Sequence, residues 1–148
     1  VATFRLEIVS AERAVYADDV DALIAPGTEG QLTVLPHHAP LLTQLQPGEI
    51  TVRKGGQETA MAVTGGFLEV LGNRAVILAD AAERAEEIDV DRAEAAMKRA
   101  EEALAGHPRE QEMEAALMAF RRAQVRVEVA RRRRRGLGGR EREPGPST

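Results

Sequence analysis

The 148-residue chain contains no cysteine and no tryptophan, and it has only two serines, two lysines and three histidines. Each shortage closes off a chemistry. Without cysteine there are no disulfides, thiol nucleophiles, thiolate metal sites or iron–sulfur ligands, a usage that fits a reducing compartment. Ser10 lies at an early strand end and Ser147 near the end of the chain, so a Ser/His/Asp triad has almost nothing to draw on. His37 and His38 are adjacent and His107 stands in an expected turn, far from a His-x-x-x-His ligand spacing. Neither Lys54 nor Lys98 follows a Gly-x-x-x-x-Gly loop or precedes Ser/Thr, which removes a Walker-type phosphate loop and leaves any phosphate recognition to the 18 arginines. No apolar run approaches the ~18 residues that span a bilayer, and no signal-peptide pattern opens the sequence. The expectation is a soluble protein, or one peripheral to a membrane.

What is present is polarised. The formal net charge is -4, with 24 acidic and 20 basic side chains. Residues 1–84 hold 6 basic and 11 acidic groups, residues 85–105 hold 3 and 7, and residues 106–148 hold 11 and 6. An acidic first half and a basic end argue against bulk nucleic-acid binding.

Up to about residue 80 the pattern is short period-2 or β-branched runs between turn signals. Phe4, Leu6 and Ile8 alternate with Arg5 and Glu7; residues 15–25 read as a second extended stretch, stopped by Pro26-Gly27 and Gly30. Residues 31–35, 41–45, 49–53, 57–63, 67–71 and 74–79 continue the series, with Lys54-Gly55-Gly56 as a hairpin signal. Many short strands with no intervening helix predict an antiparallel β-sandwich over residues 1–84. The composition then turns to Ala, Glu and Arg. Ala93, Ala96, Met97, Ala100, Ala103 and Leu104 recur at helical spacing, and so do Met113, Ala116, Leu117, Phe120, Ala123, Val127 and Ala130. Asp89 or Asp91 is expected to cap the first helix, Glu94 completing a capping box with Asp91. Gly106-His107-Pro108 is expected to end it with a left-handed glycine. The result is an antiparallel two-helix hairpin over residues 85–135, marginal on its own because alanine buries little area, with residues 136–148 as a disordered tail. The fold class is therefore α+β in two parts.

The ordered series Glu29-Gly30-Gln31-Leu32, Leu35-Pro36-His37-His38-Ala39-Pro40-Leu41-Leu42, Pro47-Gly48 and Gly65-Gly66-Phe67-Leu68-Glu69-Val70, followed by an Ala-rich hairpin, resembles the epsilon subunit of the bacterial F-type ATP synthase over about residues 3–130. The resemblance implies a non-catalytic central-stalk (rotor) subunit, peripheral on the cytoplasmic face of the bacterial plasma membrane. It would bind gamma and rest on the ring of c subunits, while the phosphoryl chemistry belongs to alpha and beta. It also implies that Thr28, Glu29, Gly30 and Gln31 approach the c ring and that His38 lies near the gamma contact. Gln31 departs from the acidic residue some members carry, so an ion pair with the ring is not implied there. On the residues alone, Gly27 and Gly30 make a turn and the two histidines sit in a surface loop.

Ile88-Asp89-Val90-Asp91-Arg92-Ala93 is similar to the Ile/Leu-Asp-x-x-Arg-Ala motif by which some bacterial epsilon subunits bind ATP, and Glu83, Arg99, Arg122 and Arg126 match the accompanying acidic and arginine positions. ATP is then a regulatory ligand that favours the folded hairpin; no cofactor is required. Arg92 and Arg99 share a helix face, as do Arg122 and Arg126, and a hairpin turning near His107 brings Arg92 opposite about Ala123. Guanidinium forks in one cleft, with a helix start nearby, suit a triphosphate. The plainer alternative makes Asp89 only a cap and the arginines a solvated face pairing with Glu86, Glu87 and Glu94. The family mechanism further implies that extended helices meet an acidic loop of beta and block hydrolysis. Arg121, Arg122, Arg126 and Arg131 are the expected contacts, within a stretch from Arg121 to Arg135 that holds eight arginines and one acid, Glu128.

Two other classes stand beside this one. A nucleic-acid or anionic-surface binding module would use Arg131 to Arg135, but only four aromatics are present and none forms a stacking pair near the run. A β-sandwich enzyme would need a cleft holding carboxyl groups of raised pKa.

Overall fold

In a computed structural model, the structure describes residues 2–138, with side chains through Arg133. Ten strands come first: β1 (Phe4–Ser10), β2 (Ala14–Val20), β3 (Ala22–Gly27), β4 (Gly30–Val34), β5 (Leu41–Leu45), β6 (Gly48–Lys54), β7 (Gln57–Val63), β8 (Gly66–Leu71), β9 (Arg74–Ala79) and β10 (Ala82–Arg84). They form one folded-over sheet in the order β10-β7-β6-β3-β5-β8-β9-β1-β2, with β4 on β3. The fold turns at β3, whose Ala22, Leu23 and Ile24 pair with β6 while Gly27 pairs with β5. Alternating residues from both layers, Leu6, Ile8, Leu23, Ile50, Met61, Leu68 and Ile77 among them, are fully buried in the space between.

The expected β-sandwich is present, with three local differences. All pairings are antiparallel except β1 with β9, which run parallel from Arg5 opposite Arg74 to Ser10 opposite Ala79. No crossover helix is needed, because the chain between them is the rest of the sandwich. The stretch 15–25 is two strands. It breaks at Asp21, whose N–H donates to the Arg53 carbonyl (2.8 Å) and whose carboxylate accepts from the Gly55 N–H (2.8 Å). Strand β10 was not expected; it pairs Ala82, Glu83 and Arg84 with Val63, Ala62 and Met61.

A single 3-10 turn (Ala85–Glu87) leads to α1 (Val90–Ala105) and α2 (Glu110–Gly138). The Asp89 carboxylate accepts from the Arg92 N–H at 3.1 Å, so Asp89 is the cap. Asp91 lies inside the first turn, and Glu94 pairs with Arg131 instead of closing a capping box. At the other end Gly106 keeps a negative φ of -78°, and it is His107 that turns left-handed, at φ 52°. Helix α2 runs three residues past Arg135, through Gly136; residues 139–148 of the expected tail lie outside the described residues.

The hairpin has its own small core. Ala62, Ala85, Ile88, Val90, Ala93, Val127, Val129 and Ala130 form a buried cluster separate from that of the sandwich. Alanine and valine dominate it, so the helices lie close to the sheet while burying little apolar area per residue.

Candidate ligand cleft and partner surfaces

The alanines that let α1 and α2 approach leave a cleft where the helices pass the end of the sandwich. It encloses ≈ 550 Å³ and is walled by Ala96, Ala100 and Ala103 from α1 and by Ala116, Ala119 and Ala123 from α2. Thr64 and Ala81 close the sandwich side. Four charged groups lie around this apolar wall: Glu83, Arg99, Arg122 and Arg126. Glu83 and Arg126 hold each other in a fork, Nε to Oε2 at 2.6 Å and Nη2 to Oε1 at 3.1 Å, in a half-buried setting.

The structure therefore gathers Glu83, Arg99, Arg122 and Arg126 in one cleft, and places the remaining motif positions differently. Ile88 and Ala93 are buried in the hairpin's core. Asp89 caps α1. Arg92 is exposed and is not among the residues lining the cleft, while its neighbour Ala93 is buried in one cluster with Val127 and Ala130, further along α2 than Ala123.

Of the arginines expected to meet an acidic partner, Arg121 and Arg122 are exposed, Arg126 is held by Glu83, and Arg131 reaches Glu94 at 2.6 Å. Arg132 approaches Glu49 at 2.8 Å. Part of the arginine run is thus occupied by carboxylates of this chain, which weakens the case for a nucleic-acid surface. The side chains of Arg134 and Arg135 lie outside the described residues.

The expected c-ring loop is the β3–β4 turn. Thr28, Glu29, Gly30 and Gln31 are all exposed at its tip, and the Thr28 N–H donates to the Gln44 carbonyl at 3.0 Å. His38 is half-buried, its Nδ1 lying 2.6 Å from the Ala39 carbonyl, so that nitrogen carries the proton. The loop before it is pinned by Asn73, whose Oδ1 accepts from the His37 N–H (2.8 Å) and whose Nδ2 donates to the Thr3 carbonyl (2.9 Å).

Sequence reasoning missed the outer face of β5, β8 and β9. Leu42, Phe67, Leu71 and Leu78 are 70%, 52%, 60% and 58% exposed there. Phe67 is directly opposite Leu78, and Leu42, opposite Glu69, is diagonal to both Phe67 and Leu71. The available signal was the unbroken apolar run Ala75 to Ala79, which marks a strand covered on both sides rather than one facing water. Elsewhere, a hydrogen bond from Lys54 lowers the Asp18 pKa and raises that of Lys54, and burial raises that of Tyr16. A depressed, exposed carboxylate of this kind is a surface ion pair, the opposite of a general acid.

Comparison with known proteins follows the same division. The model of the ATP synthase delta/epsilon chain β-sandwich domain matches residues 3–85, and that of the delta/epsilon long α-helix domain matches residues 86–131. An ATP synthase epsilon chain of Dehalococcoides mccartyi is 50% identical over 139 residues, covering 91% of this chain and 97% of that one. One from Herpetosiphon aurantiacus is 51% identical over 130 residues, covering 88% and 96%. A chain in the Euglena gracilis mitochondrial ATP synthase shares the fold, with TM-score 0.75 and 24% identity over 84% of this chain and 79% of that chain. Another, in the Tetrahymena thermophila mitochondrial ATP synthase central stalk and c ring, superposes with TM-score 0.62 and 15% identity over 85% and 95%.

Sandwich and hairpin together define a class, the two-part chains in which a β-sandwich is followed by long helices. This chain belongs to the ATP synthase delta/epsilon family, as an epsilon chain.

Proposed function

We propose that the chain is the rotor subunit that joins the c ring to gamma and restrains ATP hydrolysis through its hairpin, with ATP favouring the folded hairpin. The observation that carries this reading is the division of the core in two. The sandwich keeps its own buried interior, whereas the hairpin rests on a small alanine- and valine-based cluster and on ion pairs that water can replace. An element attached this lightly can leave its seat without unfolding the rest.

The sandwich is the fixed part. Its apolar outer face, contiguous residues Leu42, Phe67 and Leu78, is the gamma-docking surface, and the exposed turn 28–31 faces the c ring. A contiguous exposed apolar patch rimmed by polar residues is the kind of surface that marks a partner. Leu78→Asp places a charge in the middle of that patch without touching the interior, so it is expected to lower gamma binding at least tenfold in a pull-down or titration, since a desolvated unpaired charge costs more than the roughly 1–3 kcal/mol of an unpaired neutral polar group. Retention of full gamma binding by both Leu78→Asp and Phe67→Asp would move the interface elsewhere.

The cleft is the regulatory site. Its alanine walls accept a flat apolar ring, and Arg99, Arg122 and Arg126 supply the cations for a triphosphate. Bound ATP stabilises the folded hairpin only by its preference for that state over the extended one. Without ligand, the hairpin extends beside gamma and its arginines meet an acidic surface of beta. The subunit acts from the cytoplasmic face of the bacterial plasma membrane, held there by its partners; among the described residues no helix is long and apolar enough to cross a bilayer. Calorimetric titration of the isolated chain with ATP tests the ligand.

A further inference from the structure

Three strands meet α2 along one row. Across β6, β7 and β10, Glu49 is opposite Ala62 and Ala62 is opposite Glu83. The two carboxylates are therefore two strand spacings apart, about 9.6 Å, with an alanine between them. On α2 the groups that meet them are Arg126 on Glu83 and Arg132 on Glu49. Six residues of helix rise about 9 Å, which matches the row. Val129 lies midway, three residues from each arginine, and at about 100° per residue it points between them. It is 1% exposed and shares a buried cluster with Ala62.

We propose that Glu49, Ala62 and Glu83 form a docking track for α2, read by Arg126, Val129 and Arg132, and that the Glu49–Arg132 pair is a second clamp setting where the hairpin seats and when it lets go. The Glu49 Oε2 is shut off from solvent and makes no aligned hydrogen bond among the described residues, so the Arg132 guanidinium at 2.8 Å is what balances its charge. While α2 is seated, Arg132 therefore offsets the desolvation of Glu49. When α2 leaves, water takes over the same task. The net worth of the pair is small for that reason, which suits a contact that must reopen.

Two consequences follow for the switch, and both rest on the proposed release of the hairpin. Arg126 and Arg132 are on one helix and are freed together, so an acidic partner competes with two carboxylates of the sandwich at once. An anionic ligand that draws Arg126 away from Glu83 leaves Arg132 on Glu49, and the hairpin stays seated around the ligand.

The test is hydrogen exchange of the α2 amides in the full-length chain, without nucleotide or partner subunits. Arg132→Glu and Glu49→Arg are each expected to speed exchange of the segment 123–133 roughly fivefold, the effect of about 1 kcal/mol, and the double variant to return it to within about twofold of the parent. Arg133→Glu, on the neighbouring exposed arginine, makes the same change in net charge and is expected to leave exchange nearly unaltered. Parental exchange in Arg132→Glu, no recovery in the double variant, or equal acceleration by Arg133→Glu would each overturn the clamp. Loss of the ATP response with the charge-swap recovery intact would instead sink the regulatory reading and leave the clamp standing.

Discussion

Arg126→Ala is expected to weaken ATP binding by the isolated chain about a hundredfold, and Arg122→Ala about tenfold. A hydrogen bond to a charged group contributes roughly 1.5–3 kcal/mol, and each 1.4 kcal/mol is a factor of ten. Arg126 carries the larger effect because it is the half-buried cation on the cleft wall, its side chain 25% exposed, whereas Arg122, one turn earlier on the same helix, is exposed. Arg92 matches the family motif but lies away from the cleft lining, so Arg92→Ala is expected to have the smallest effect of the three. Calorimetric titration reads all of them. Unchanged affinity in both Arg122→Ala and Arg126→Ala would remove the cleft as the ATP site.

Gly66→Ala is expected to cost about 3 kcal/mol or more of sandwich stability, enough to shift a denaturant midpoint visibly in a domain this small. Gly66 starts β8 at φ +137°, opposite both Leu45 and Ala79. A Cβ there would lie 2.1 Å from the Leu78 carbonyl oxygen and 2.9 Å from the Ala79 Cα, both backbone atoms that cannot rotate aside. Gly55 makes the comparison clean. It also has a positive φ, +56°, but nothing lies within 4 Å of its missing Cβ, so Gly55→Ala carries backbone strain alone, about 1 kcal/mol. Equal and small losses in the two variants would contradict the packing argument. The Gly-Gly pair that helped identify the sequence pattern is thus a place where two strands touch backbone to backbone.

The strands were the most readable part of the chain. Residues 57–63 and 74–79 fold as the strands expected, because each is a β-compatible run bounded by turn residues. Local sequence carries no signal where structure depends on a distant partner. The break at Asp21 is set by Arg53 and Gly55, more than thirty residues on. Strand β10 has three residues and no pattern of its own; the open edge of β7 makes it a strand. Glu83, Arg99, Arg122 and Arg126 were found from spacing and resemblance together, and the cleft does assemble them. Arg92, which the resemblance groups with them, does not line the cleft, and its neighbour Ala93 shares a buried cluster with Val127 and Ala130. The Glu49–Arg132 contact joins residues 83 positions apart and has no local signal. The exposed apolar face was visible only as a missing alternation, which reads equally as a buried strand.

The central claim is that the hairpin restrains hydrolysis from a seat it can leave. It is tested most directly by ending the chain after Ala85 and measuring ATP hydrolysis by the reassembled complex. The buried cluster of the sandwich runs from Phe4 to Ala82, so the shortened chain keeps that core and its outer apolar face intact. If the hairpin is the restraint, the complex should hydrolyse ATP roughly fivefold faster or more, since removing the blocking element takes away the inhibited population altogether. A rate equal to that of the full-length complex, with the shortened subunit demonstrably bound, would contradict the account.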